Sequence, residues 1–185
     1  MKHLSRYSKV SQSGGVAVAF AVVAVTAAAC GSSDTNQQAK TAADHASYVE
    51  NTRCAGVEES READAIISGQ SVSAVRPLYV AMDPSKSDVA EQLHGATVLV
   101  PAQPGMTAEW LNRVLECHSA QATLGQSQAP NDPFYLPDAV VDITVKPAKD
   151  GFAINVSTER THDAQRVLDR ANAWVQARGP AVSSR

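Results

Sequence analysis

Two cysteines, Cys54 and Cys117, and the histidine beside the second, His118, are the residues best equipped for chemistry in this chain. The cysteines stand 63 positions apart, so they form no CxxC redox motif. Three readings remain open for them: a structural disulfide between two helices, thiolate ligation of a metal, or unpaired buried thiols. The disulfide is the leading expectation. Cys117 and His118 are neighbours on an expected helix, where successive side chains point about 100° apart. They are therefore poorly placed to ligate one ion together. His45 and Cys54 fall on opposite faces if one helix spans both, by the same angle. His118, His94, Met106 and Met82 are weak candidates for a soft copper site. No MxxM or HxH cluster supports them, and Met is more often a core filler. No cofactor is expected. The chain carries no GxSxG, HExxH, P-loop or GxGxxG signature, so no catalytic residue is assigned and an enzyme is not expected.

Composition narrows the classes further. The chain has 185 residues, 44% hydrophobic, 5% aromatic and 19% charged, with formal net charge -3. That length suits one domain with a core of its own. The acidic balance leaves no basic stripe for a phosphate backbone, so no nucleic-acid partner is expected.

The third cysteine, Cys30, ends a distinct N-terminal segment. Lys2, Arg6 and Lys9 precede a small-apolar run from Val16 to Ala29, and no acid occurs among them. The run is shorter than the roughly 20 residues a spanning helix needs. A basic stretch before a short apolar one reads as a signal peptide over 1–29. Its end, Thr26-Ala27-Ala28-Ala29-Cys30-Gly31, resembles a bacterial lipoprotein signal, with Ala27 where such signals usually carry Leu. The resemblance implies a diacylglycerol on Cys30, palmitate-type acylation, and cleavage just before it. Two or more acyl chains anchor stably where one does not, so the membrane is the expected partner. Gly31 implies the periplasmic face of the outer membrane if the envelope has two membranes. Such a compartment is oxidising, which favours pairing of Cys54 with Cys117.

The remaining chain must position these groups. Residues 30–40 lack large apolar side chains and read as a lipidated Cys with a flexible tether. Residues 41–178 read as one domain and 179–185 as a disordered tail. Ala42, Ala46 and Val49 recur at helical spacing from Thr41 toward Ile67, with Gly56 as a break. Ser71 to Met82 alternates as a strand, and Pro77 places it at an edge or bulge. Asp83 to Lys86 is a turn, and a strand covers Ala96 to Ala102. Thr107 can cap a helix from Ala108 to about Leu124, which Gly125 ends. Phe134, Tyr135 and Leu136 sit in a Pro-rich connection and are expected to fold back on the core. Val141, Ile143 and Val145 alternate with polar residues, Asp150-Gly151 marks a hairpin, and Phe152, Ile154 and Val156 alternate after it. Thr161 is the expected cap of a last helix whose apolar residues run from Ala164 to Val175 at 3.6-residue spacing.

This order predicts an α+β fold: a two-layer sandwich with helices on one face of a small, mainly antiparallel sheet. The part from Ala96 onward, β-α-β-β-α, has the rhythm of a split βαβ unit.

The stretch His94-Gly95-Ala96, Pro104 to Leu111, Cys117 to Ala120, and Gly151 to Ile154 resembles a group of uncharacterised bacterial envelope proteins, over about Cys54 to Trp174. The group implies no activity and no catalytic residue. Its members often carry a further Cys before a Pro, where this chain has Asp132-Pro133. The expected function is therefore a lipid-anchored envelope protein, non-enzymatic, binding an unknown envelope protein or small ligand. The alternative is a periplasmic metal-handling protein for copper or haem.

Overall fold

In this computed structural model the structure describes residues 32–57, 61–82, 90–126 and 131–177. Cys30, the signal segment, the turn at 83–86 and the tail 179–185 lie outside them.

The elements follow in the order α1 (Ser32–Arg53), α2 (Arg61–Ile67), β1 (Ala74–Ala81), β2 (Glu91–Pro101), α3 (Ala108–Thr123), β3 (Asp142–Ala148), β4 (Gly151–Ser157) and α4 (Thr161–Gln176). The four strands make one antiparallel sheet in the order β1-β2-β4-β3, and the fold is α+β. β2 and β3 both run antiparallel to β4, which lies between them, so β2-α3-β3 is a split βαβ unit.

Period-two alternation decides which sheet face is covered. Ala96, Val98 and Val100 on β2, Ile143 and Val145 on β3, and Phe152, Ile154 and Val156 on β4 point to one side. Leu111 and Leu115 of α3 meet them there, as do Val167, Ala171 and Trp174 of α4, in one core cluster. Each large side chain so buried contributes roughly 1.5–3 kcal/mol. Phe134 and Leu136 are fully buried in the same cluster. The 131–139 connection is thus a strap packed into the core, as its apolar triplet implied.

Thr107 caps α3, its Oγ1 accepting from Trp110 N–H at 3.2 Å. β1 is an edge strand with a register shift between Leu78 and Tyr79, the role Pro77 suggested. The extra residue falls in β2, because Leu78 pairs with Gly95 and Tyr79 with Leu93. Gly95 has φ +147°, and a Cβ there would lie 2.0 Å from the Val156 carbonyl oxygen. Only glycine lets β2 approach β4 this closely.

Three expectations need correction. The tether is not flexible throughout, because α1 starts at Ser32. The run Asn36-Gln37-Gln38-Ala39-Lys40 has no β-branched residue or helix breaker, and Asp34 lies in the first turn, where the helix dipole favours an anion. The second strand starts at Glu91 rather than near Ala96, because pairing with β1 draws Glu91 and Gln92 into the ladder. Thr161 does not cap α4: Arg160 occupies the cap position without a side-chain bond. Instead, Asp163 supplies the anion in the first turn, where it is bound by Arg160 and Arg166.

Candidate functional site

α3 is the beam on which the site is built. Its Cys117 is bonded to Cys54, just past the end of α1, with Cα atoms 5.5 Å apart. One residue on, His118 faces another side of the helix, as the 100° step requires. Its Nε2–H donates to Oδ2 of Asp132 in the strap at 2.6 Å, with both side chains buried. Oδ1 of the same carboxylate accepts from Phe134 N–H at 2.8 Å, an Asx turn. Arg170 of α4 donates to the Asp132 carbonyl at 2.7 Å, and its guanidinium lies over the Tyr135 ring. Cys117 and His118 therefore fasten two different segments, α1 and the strap, to the same helix.

The weaker candidates do not join them. Met106 packs beside the main core just before α3. His94 lies at the β2 bulge, its carbonyl accepting from Thr158 N–H, and Met82 is exposed. Among the described residues no three His, Cys, Asp or Glu side chains converge on a point where a metal could sit.

What the sequence did not reveal is a cleft. α1 rests on α3 and hardly touches β3. Between α1 and the edge of β3 lies a depression of about 350 Å³, floored by Ser119, Ala120 and Thr123 of α3. Ala46, Tyr48 and Val49 form the helical wall, and residues 139–144 form the strand wall. One end is closed by a relay of polar contacts. Val145 N–H donates to Asn112 Oδ1 at 2.9 Å, and Asn112 Nδ2 donates to Glu116 Oε1 at 2.8 Å. Arg53 Nη1 then donates to Glu116 Oε2 at 3.0 Å. That hydrogen bond, with the charge of Glu116, holds the Arg53 guanidinium above its usual pKa. Arg113 adds two bonds to the end of α1, from Nε to the Arg53 carbonyl and from Nη2 to the Ala55 carbonyl.

Beyond Ala139, Val140 and Asp142 the cleft runs into a second depression of about 560 Å³. Its walls carry five carboxylates, those of Asp34, Asp138, Asp142, Glu159 and Asp163, and one cation, Arg160. Arginines engage two of them. Arg166 approaches Asp138 Oδ1 to 2.8 Å off the line of a hydrogen bond, and it also donates to Asp163. Asp34, Asp142 and Glu159 are exposed. The cleft thus has one half where small apolar side chains stand beside His45, Arg53 and Glu116, and an acidic half where five carboxylates outnumber Arg160, on the scale of a ligand pocket.

No protein-family model matches this chain, and no curated protein or solved structure matches it. Among the described residues no helix is long and apolar enough to cross a membrane.

Proposed function

We propose that this is a lipid-anchored envelope protein whose α+β domain is a non-enzymatic binding module, with the α1–β3 cleft as its site. The observation that carries this reading is the cleft itself. A cystine, a four-residue polar relay and an arginine clamp hold α1 on α3, yet α1 hardly touches β3. The Cys30 junction and the Cys54–Cys117 bond support an exported protein, since disulfides persist in oxidising compartments. The copper or haem alternative has no comparable support, because His118 Nε2 is engaged by Asp132 and Cys54 and Cys117 are bonded to each other.

A photo-crosslinking amino acid placed at Tyr48 or at Tyr79 in intact cells tests the reading. The two side chains are similarly exposed, at 61% and 52%. Tyr48 lines the cleft and Tyr79 lies on the far edge strand. Adducts from Tyr48 and none from Tyr79 are expected. Adducts from Tyr79 alone, or none from either, contradict a binding module at this cleft.

A further inference from the structure

We infer that the cleft takes an extended peptide, which adds to β3 as a fifth strand and places a basic residue over the acidic half. This rests on the binding-module reading and goes further by naming the ligand class.

The sheet has two edges, β1 and β3. In an antiparallel ladder the main-chain groups of alternate residues point toward and away from a given neighbour. Val145 N–H points away from β4, onto Asn112. Across the register, Ile143 and Pro147 of β3 then also turn their main-chain groups outward, and so do Val75 and Pro77 of β1. Unpaired edges invite foreign strands, and proteins commonly blunt them with proline or by covering them. Pro77 removes a donor from the β1 edge. Pro147 removes one from the β3 edge, and Asn112 occupies the next. Val75 is left on β1 and Ile143 on β3; Ile143 lines the cleft, its N–H and C=O turned toward it with no acceptor for the N–H among the described residues.

An open donor and acceptor on one strand residue are matched by one residue of another extended chain, which returns both bonds. This is the recognition mode in which a peptide augments a sheet between an edge strand and a helix. The helix wall offers an exposed aromatic ring, Tyr48, beside the small side chains of Ala42, Ala46 and Val49. Charge decides what lies beyond. Asp34, Asp142 and Glu159 stand where the strand direction carries the peptide past residues 139–142. A lysine or arginine there meets opposite charge, and an acidic residue meets like charge.

The test uses the protein as expressed, purified in detergent, with acetylated and amidated octapeptides of alternating valine and threonine. One set ends in two lysines, at either terminus, and a second set ends in two glutamates. A third repeats the lysine set with its six central amides N-methylated. Amide NMR reads the site and fluorescence anisotropy the affinity. The lysine peptide is expected to shift the Ile143 amide and to bind more tightly than the glutamate peptide. N-methylation should weaken it roughly tenfold or more, the scale of one or two lost hydrogen bonds. Asp34→Lys with Glu159→Lys, both on exposed positions, should erase the preference for lysine. Equal binding of the N-methylated peptide overturns strand addition while leaving the cleft as a binding site. Failure of every peptide to move Ile143 also overturns strand addition, and the Tyr48 crosslink then judges the binding module separately. Concentration-dependent protection of Ile143 without peptide overturns it in favour of a second copy of this chain.

Discussion

His118 and Asp132 join α3 to the strap through a hydrogen bond of 2.6 Å between side chains that are 3% and 0% exposed. The contact is structural before it is anything else. The imidazole fixes the strap, and the strap carries Phe134 edge-on against Trp174. His118, a residue type that commonly ligates metals, is therefore engaged at Nε2 in holding the core shut.

Asp132→Ala should destabilise the domain by about 3 kcal/mol, because it strands a buried imidazole and the Phe134 N–H together. His118→Ala should cost a similar amount, and the double variant clearly less than the sum. Urea unfolding of the four proteins measures the coupling. Additive losses would mean that the two residues do not act as a pair.

Replacing Cys54 and Cys117 by Ser should lower stability by up to about 4 kcal/mol, from the chain-entropy scale for a loop of this length. The loss should be uneven. α1 hangs on α3 through the cystine, Arg113 and Glu116, whereas α3 and α4 own the main core. Hydrogen exchange should show α1 amides losing protection while those of β4 and α4 keep theirs. Uniform loss across the domain would contradict this division.

Gly95→Ala and Gly151→Ala should each cost several kcal/mol, roughly 3 or more, since overpacked and strained sites lie at the upper end of single-residue effects. The added Cβ would lie 2.0 Å from the carbonyl oxygen of Val156 or of Val100, with φ at +147° or +155°. Gly105→Ala meets no atom within 4 Å, but φ there is +82°, so only backbone strain of about 1 kcal/mol is expected. Thermal melts of the three variants rank them.

Cys30→Ala should abolish incorporation of a palmitate analogue and release the protein from the membrane fraction. The Ala28-Ala29-Cys30-Gly31 junction motivates this. Equal labelling of the wild type and the variant would end the lipoprotein reading.

The elements that could be read from sequence are those whose signal is local. The spacing from Ala164 to Val175 gave α4, Thr107 gave the start of α3, and Asp150-Gly151 gave the hairpin. Pro77 marked an edge because a missing N–H has meaning whatever the strand pairs with. Errors arose where a neighbour decides the outcome. Glu91 and Gln92 are polar and become strand by pairing with β1. Thr161 looked like a cap, but Asp163 and its arginines took over that helix end. The cleft left no sequence signal. Its walls come from three segments far apart in the chain, and Asn112 and Glu116 look like ordinary polar positions of an amphipathic helix. Only the packing of α1 on α3 makes them a relay.

The most direct measurement is hydrogen–deuterium exchange at the Ile143 amide, compared between the protein in native envelope vesicles and the same protein purified. Labelling in the vesicles, quenching, and recovery of the 139–145 peptide would report whether something occupies the cleft where the protein works. We expect slower exchange at Ile143 in the vesicles and no change at Val75, the outward position on the opposite edge. Identical exchange at Ile143 in both samples would contradict an extended chain held on the β3 edge of the cleft.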